Sequence, residues 1–430
     1  MVMVYQNVVY IVMPIIVAIF LIFSFQYWFV LFFGLFAKPV KFKTQTQKLK
    51  YGIVICARNE EKVIAELVKS IKNSQYDQDK LQTFVIAHNC TDKTAEKARN
   101  AGAIVYEYSN SSERTKGYAL KKIFEFIEQD YGIQSFDGYH IFDADNIVDS
   151  LYFEKMNDAF LHYDKKNVIT SFRNTKNFGK SIQTINYGLM FMFHTTIESN
   201  ARMKFKMSSK ILGSGFLISN EMVKDGWNIT IPSDDSDFTV EQISEGKNVK
   251  YCDEAMFYDE QPTKFKDMWR QRLRWVFGNR IVWRKRFKSL IKNIFSSKKE
   301  DDKKISKSSS IDILFMISPI SFIGFLILLL NILLVSLGPI FGANATQMWI
   351  DWAISFSISH AIIYLILFVI GIITYARGRK RVQRVPWWKM IISLFIWPLF
   401  LALYFPLQIV AIFKNINKFN WTQIEHNKNI

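Results

Sequence analysis

The sequence predicts an α/β domain set between membrane-spanning helices, and three observations carry that expectation. Residues 8–36 contain no charged side chain, a run longer than the roughly 20 apolar residues that cross a bilayer. Three further apolar runs follow near the C-terminal end, at 314–340, 350–375 and 386–413. Between them, from Tyr51 onward, short apolar runs alternate with amphipathic stretches, the pattern of successive β-α-β units. Composition agrees. The 430 residues are 50% hydrophobic and 16% aromatic, enough for a large core and for contact with lipid.

No Lys or Arg precedes Lys38, so residues 8–36 read as an uncleaved anchor and not as a signal peptide with a basic start. Basic clusters set the orientation of the four expected crossings. Lys38, Lys41, Lys43, Lys48 and Lys50 follow the first, and Lys298, Lys299, Lys303, Lys304 and Lys307 precede the second. Arg377, Arg379, Lys380, Arg381 and Arg384 lie between the third and fourth. The expected protein is therefore multi-pass in the cell membrane, with residues 50–295 on the cytoplasmic side. Residues 296–310 form a charged linker and residues 414–430 a polar tail. That tail would lie outside despite Lys414 and Lys418, and Pro398 and Pro406 leave open a last segment that does not cross simply.

The net charge of +17 is accounted for by these clusters beside the spans, which suit anionic lipid; no nucleic-acid motif accompanies them. Cys56, Cys90 and Cys252 have no metal-ligand spacing, and free thiols without zinc are expected.

Within the soluble part, residues 52–57 read as a buried strand and residues 60–73 as a helix with Val63, Ile64, Leu67, Val68 and Ile71 on one face. A strand at 81–87, a helix at 91–101 capped by Thr91 or Asp92, a strand at 103–106, a helix at 117–129 and a strand at 139–142 follow. Open sheets of this kind bind ligands beyond the carboxyl ends of their strands. The residues there are Arg58-Asn59-Glu60, His88-Asn89-Cys90-Thr91-Asp92 and Asp143-Ala144-Asp145-Asn146.

Two aspartates one residue apart suit a hard divalent cation, Mg²⁺ or Mn²⁺, that completes its shell with water and substrate phosphate; the plain alternative is a solvated turn. Lys116-Gly117 opens a helix where a backbone amide end and an ammonium can meet a diphosphate, against an ordinary exposed Lys. Ser233-Asp234-Asp235 precedes a helical pattern at 238–243 and serves equally as an N-cap. In Gln271-Arg272-Leu273-Arg274-Trp275, helical spacing puts Gln271, Arg274 and Trp275 on one face, where a guanidinium fork matches phosphate and an indole offers a surface for a sugar ring. The alternative is an interfacial helix with snorkelling Arg. No Walker loop or dinucleotide fingerprint is present.

Taken in order, Arg58-Asn59-Glu60, Asp92, Lys116-Gly117, Asp143-Ala144-Asp145, Ser233-Asp234-Asp235 and Gln271-Arg272-Leu273-Arg274-Trp275 resemble the signature of membrane-bound family 2 glycosyltransferases, the group of cellulose, hyaluronan and poly-N-acetylglucosamine synthases. The resemblance spans residues 50–285. It implies an α/β GT-A glycosyltransferase domain inserted between transmembrane helices, one N-terminal and about three C-terminal, with a nucleotide-sugar donor, a divalent cation and inversion at the anomeric carbon. On it, Glu60, His88, Asp92, Lys116, Asp143 and Arg274 match donor-binding positions and Asp145 the metal ligand. Asp235 matches the general base, and Gln271, Trp275 and Asp234 match the acceptor side, with Arg272 beside them in the motif. Two departures stand out: His88 occupies a place where an Asp commonly contacts the nucleotide base, and four spans are fewer than polymer synthases usually carry.

The expectation is a hexosyl- or N-acetylhexosaminyltransferase that uses a UDP-sugar to extend a β-linked polysaccharide at the cytoplasmic face, with an export or regulatory partner left open. The alternatives are a non-processive enzyme making a membrane glycolipid, and an inactive membrane scaffold or transporter subunit. No cyclic-dinucleotide domain follows the last span.

Overall fold

β1 (Tyr51–Ala57) is apolar on both faces because both faces are covered. Ile53 and Ile55 point to one core and Val54 to another, the two-residue alternation of a strand. The computed structural model describes residues 2–295 and 306–413. A helix α1 (Val2–Gly34) comes first, and an extended segment leads from it into β1. Then come α2 (Ile64–Lys72), β2 (Leu81–His88), α3 (Thr94–Ala101), β3 (Ile104–Tyr108), α4 (Lys116–Asp130) and β4 (Gly138–Asp143). The strands predicted from apolar runs are all present within two residues of their expected ends.

β1 pairs in parallel with both β2 and β4, in a register that sets Ala57 beside Ala87 and Cys56 beside Asp143. The carboxyl ends of these strands therefore share one edge. α2 packs Ile64, Leu67, Val68 and Ile71 on one side of the sheet, and α4 packs Leu120, Ile123, Phe124 and Ile127 on the other. Each such side chain, buried completely, contributes about 1.5–3 kcal/mol.

The second half of the domain adds β5 (Ile147–Val148), α5 (Tyr152–His162), β6 (Ile169–Thr175), α6 (Ile182–Met192), α7 (Asn200–Lys204), β7 (Phe216–Ser219), α8 (Asp234–Ser244) and β8 (Lys250–Asp259). The sheet order is β3-β2-β1-β4-β7-β6-β8-β5, with β7 antiparallel to β4 and β6. Between α6 and α7 the chain makes a π-helical turn, Phe193–Ser199. None of these elements beyond the start of α8 has a counterpart in the expectations above.

α9 (Phe265–Phe295) runs for 31 residues and packs against α8. It is followed by α10 (Lys307–Ile317), α11 (Ile320–Leu337), α12 (Ala345–Gly378), α13 (Trp387–Ala402) and α14 (Tyr404–Phe413). Among the described residues, three helices are long and apolar enough to cross a membrane: Phe322–Phe341, Ala345–Gly378 and Trp387–Phe413. Their flanks expose Leu326, Leu333, Ile358, Leu365 and Leu399, each 48–59% accessible, as lipid-facing positions would.

Two boundaries differ from the sequence reading. The first C-terminal apolar run does not begin a span at 314, because Ile313, Leu314 and Ile317 are buried against α8 and α9, and Ser318-Pro319 breaks the helix before α11. Residues 307–310 of the expected linker form the first turn of α10, while 296–305 and the tail at 414–430 lie outside the described residues. The last segment bends at Leu403, between α13 and α14, as Pro398 and Pro406 allowed.

The basic loop after α12 docks on the sheet domain. The Arg381 guanidinium pairs with Asp253 of β8, and Asn174 Nδ2 of β6 donates to the Arg381 carbonyl at 2.6 Å. Arg377 donates to the Gly34 carbonyl at 2.6 Å and to that of Ala37, tying α12 to the end of α1.

Candidate active site

Asn59 and Asn89, directly after β1 and β2, adopt φ of +56° and +53°, a left-handed turn that Asn tolerates better than most residues. Asn59 Oδ1 accepts from the Thr91 amide at 2.7 Å, and Asn89 Nδ2 donates to the carbonyls of Asn110 and Glu113 at 3.0 and 2.9 Å. These bonds fold the strand-end loops back and present Arg58, Glu60 and His88 to a cavity of about 900 Å³. The same cavity is lined by Lys116, Asp143, Asp145, Asp234, Asp235, Gln271, Arg274 and Trp275. Every predicted site residue except one lines it. Asp92 stands behind the wall: its Oδ1 accepts from the Thr94 amide at 3.0 Å and its Oδ2 from the Glu61 amide at 3.1 Å, so it shapes the loop and caps α3.

At the end of β4, Asp143 Oδ1 takes the Lys116 ammonium at 2.5 Å, and Lys116 also donates to the Gly213 carbonyl at 2.9 Å. Burial opposes the Lys116 charge, but Asp143 and Asp234 outweigh it and hold the ammonium above its usual range. Asp145 accepts from Asn146 Nδ2 at 3.0 Å, and Ser214 Oγ accepts from the Asp143 amide at 2.9 Å. Asp143 and Asp145 offer the oxygen donors that a hard cation takes one or two at a time. No group of three or more His, Cys, Asp or Glu gathers as a metal cage among the described residues, so such an ion would draw the rest of its shell from diphosphate and water.

Asp234 and Asp235 open α8 after Ser233, whose φ of +75° turns the chain sharply into the helix. Burial first, then the charges of Asp235 and Asp143, push the Asp234 carboxyl up to about 7, with Lys116 opposing. A proton shared onto Asp234 spares Asp235 a second negative neighbour.

The turn at Ser233 is held from α9. A Cβ on Gly278 would lie 1.7 Å from Ser233 Oγ, 2.6 Å from Ser233 Cβ and 3.1 Å from the Pro232 carbonyl. Gly278→Ala is therefore expected to displace the 232–235 turn and, with Asp235 in the base role that the sequence resemblance implies, to lower kcat about tenfold to a hundredfold, since misplacing a reacting group by about an ångström has that effect. Steady-state assay of nucleotide release checks it, and an unchanged kcat would detach Gly278 from the turn.

On α9, Gln271, Arg274 and Trp275 all face the cavity, whereas Arg272 does not. Gln271 Oε1 accepts from Tyr187 OH at 2.8 Å, and Trp275 meets Tyr187 and Phe191 edge to face. Burial pulls the Arg274 guanidinium down while Asp143, Asp235, Asp234 and Asp145 favour its charge. Arg272 is fully buried: it donates to the Phe400 carbonyl at 2.7 Å and lies over the rings of Phe400, Tyr404 and Tyr187. It fastens α9 to α13 and α14.

His88 is buried and stacks on Tyr108, with ring centroids 5.7 Å apart. Burial and then Arg58 lower its pKa, which keeps the imidazole neutral. Arg173 was missed in the sequence: it lines the cavity from β6, pairs with Asp259 (Nε to Oδ2, 3.0 Å) and lies 3.9 Å from the Phe191 ring centroid. A lone Arg on a strand carries no motif.

A mixed sheet with carboxylates and cations gathered beyond its strand ends, and apolar helices appended, defines a GT-A-like sheet domain with three candidate membrane spans. The family model described as glycosyltransferase like family 2 matches residues 49–278, more than half of the chain, and the protein belongs to that family. The probable glycosyltransferase YdaM of Bacillus subtilis (strain 168) is 24% identical over 241 residues, covering 54% of this chain and 56% of YdaM. The beta-monoglucosyldiacylglycerol synthase of Nostoc sp. (strain PCC 7120) is 26% identical over 290 residues, 62% and 57% of the two chains. This chain thus spans a little over half the length of these curated relatives. Among solved structures, the mannosyltransferase PcManGT from Pyrobaculum calidifontis, in complex with GDP-Man and Mn²⁺, is alike in fold, with a TM-score of 0.54 at 14% identity over 86% of this chain and 100% of that one.

Proposed function

We propose that this protein is a membrane-integral inverting glycosyltransferase that takes a nucleotide sugar from the cytoplasm and an acceptor hydroxyl from the membrane, forming a glycolipid. One observation carries the acceptor side. The cavity holding Asp143, Asp145 and Asp235 continues without a break to Phe315, Ile317, Ile320 and Phe322 of α10 and α11 and to Ala411 and Ile412 of α14, at the level where the spans begin. An acceptor with an apolar tail fits that opening.

In this reading Lys116 and Arg274 receive the diphosphate, Glu60 and His88 flank the nucleoside, and Asp92 acts on donor binding only through the loop it caps. Asp145, with Asp143, would hold a divalent cation, Mg²⁺ or Mn²⁺, which would supply charge neutralisation at the diphosphate. Asp235 takes the proton of the acceptor hydroxyl. The freed oxygen attacks the anomeric carbon from the face opposite the diphosphate, a carbon–oxygen bond forms, the bond to the diphosphate breaks, and the anomeric configuration inverts. Lys116 and Arg274 stabilise the charge that develops on the departing group. The reading includes membrane anchoring by α1 and the three C-terminal spans and a cytoplasmic catalytic domain in the cell membrane; the basic residues that flank the apolar runs in the sequence support it.

A second reading, processive synthesis of a β-linked polysaccharide, is favoured by Trp275, which lines the same cavity beside Gln271 and Tyr187 and offers a platform for a growing chain. Product size separates the two. Full-length protein in membranes, given Mg²⁺ or Mn²⁺ and in turn UDP-glucose, UDP-N-acetylglucosamine, UDP-galactose and GDP-mannose, is expected to yield a single chloroform-soluble glycolipid with one of them; a ladder of water-soluble oligomers would instead establish the polymer.

A further inference from the structure

Resting on the proposed glycosyl transfer, we infer that Arg173, which none of the motifs above contains, is a positioning residue: it holds the backbone at Leu212 and Gly213 and the ring of Phe191, and through them Lys116, Asp235 and Trp275. Its side chain lines the cavity from β6 and is only 11% exposed, so what it touches decides what it can do. All three guanidinium nitrogens are engaged by the protein. Nε donates to Asp259 Oδ2 at 3.0 Å, Nη2 donates to the same oxygen, and Nη1 donates to the Leu212 carbonyl. Asp259 is fixed in turn, because its Oδ1 accepts from Gln261 Nε2 at 2.6 Å. A guanidinium committed in this way serves as a rigid fork between two parts of the chain, in contrast to one left open for phosphate.

The backbone it holds belongs to the site. The Gly213 carbonyl accepts from the Lys116 ammonium at 2.9 Å, and Lys116 meets Asp143 at 2.5 Å. Gly213 also adjoins Asp235: its φ is +87°, and a Cβ there would lie 3.7 Å from Arg173 Nη1 and 4.0 Å from Asp235 Oδ2. Glycine has the most backbone freedom of any residue, so the setting of this peptide must be imposed from outside. The bond from Arg173 to the Leu212 carbonyl, one residue before Gly213, imposes it. A second arm reaches the acceptor side. The guanidinium carbon lies 3.9 Å from the Phe191 ring centroid, and Phe191 meets Trp275 edge to face with centroids 6.3 Å apart.

Shape and charge can be separated at this position. Burial opposes the Arg173 charge, but Asp259, Asp143 and Asp145 outweigh it and hold the guanidinium above its usual range. Lysine would keep a cation among these carboxylates. It lacks the planar fork that spans Asp259 and the Leu212 carbonyl, and it has no guanidinium plane to lay on Phe191. A residue that acted by charge alone would be replaced by lysine; one that acts by position would not.

The test is turnover per nucleotide-binding site in the full-length protein, in mixed micelles of dodecylmaltoside and dioleoylglycerol with Mg²⁺ and each of the four nucleotide sugars named above. Nucleotide release gives the rate, and calorimetric titration with UDP or GDP counts the sites. Arg173→Lys is expected to lower kcat per site about tenfold to a hundredfold, the effect of shifting reacting groups by about an ångström, with a smaller change in nucleotide affinity. A merely structural residue would alter the number of sites and leave the turnover at each of them intact. Asp259→Asn keeps Arg173 and removes the charge that fixes its fork; it is expected to lower kcat per site by a smaller factor, and it decides the matter if Arg173→Lys does not fold. Wild-type turnover per site in Arg173→Lys overturns the inference, as does wild-type turnover in Asp259→Asn where the lysine variant is unfolded. An effect confined to nucleotide affinity overturns it too, by making Arg173 a donor contact. Wild-type protein that releases no nucleotide from any of the four sugars overturns the proposed function and this inference together, whereas release by the wild type with an unaffected variant overturns the inference alone.

Discussion

Asp235→Asn is expected to lower sugar transfer by about 10²–10⁴-fold, the range that a general base supplies, with nucleotide affinity within about twofold of the original. The amide keeps the shape of the carboxylate, so the turn at Ser233 and the first turn of α8 stay in place and only the proton acceptor is lost. Asp234 cannot substitute. Its half-buried carboxyl is pushed up to about 7 by burial and by the charges of Asp235 and Asp143, with Lys116 opposing. The sign of that shift adds a check. A carboxyl raised above its unfolded value favours the folded state most below its ordinary pKa near 4, and that contribution fades as the pH rises through about 7, so Asp234→Asn is expected to stabilise the protein more at pH 8 than at pH 5. Single-turnover transfer and calorimetric titration with UDP and GDP separate chemistry from binding. Transfer that survives in Asp235→Asn would remove Asp235 from the base role; loss confined to nucleotide affinity would move it to the donor side.

Much of the candidate site was legible because it is written locally. Short apolar strands end at Ala57, His88 and Asp143, and the parallel register that a β-α-β order dictates brings those ends to one edge. Gln271, Arg274 and Trp275 share a face by helical spacing alone, and the cavity has all three on its wall. What the sequence could not convey are contacts between distant segments. Arg272, indistinguishable from Arg274 in the motif, is buried because Phe400 and Tyr404, some 130 residues away, close over it. Leu314 and Ile317 continue an apolar run and look like the start of a span, yet α9 is the surface that covers them. His194 and Glu198, which also line the cavity, show no spacing rule, since a π-helical turn breaks the 3.6-residue period on which such readings depend. Arg173 and Asp259 find each other only because β6 and β8 are neighbours.

Arg202→Met is expected to destabilise the protein by roughly 3–5 kcal/mol, the effect of stripping the cation from buried carboxylates. Arg202 is 1% exposed and bridges Glu198 of the π-helical turn to Asp312 of α10. Burial raises the Asp312 carboxyl and Arg202 opposes it, while the Glu198 carboxyl, which burial would also raise, is held down at about 2 by Arg202 and His194. Methionine fills a similar volume, so what is lost is charge and hydrogen bonds, with little cavity. Asp312 then takes up a proton, but Glu198 keeps only His194. The triple variant Arg202→Met, Glu198→Gln, Asp312→Asn replaces the ions by neutral groups and is expected to recover more than half of the loss, because buried ion pairs seldom stabilise a fold relative to neutral groups of similar size. Thermal unfolding of the full-length protein in detergent reads both effects. The triple variant also asks why the ions are there. Arg202 joins the turn that carries His194 to the helix whose Phe315, Met316 and Ile317 line the membrane side of the cavity. If the network exists to hold that opening in register with Asp235, the triple variant will be stable and yet bind its acceptor poorly; full recovery of both stability and acceptor KM would reduce the network to packing.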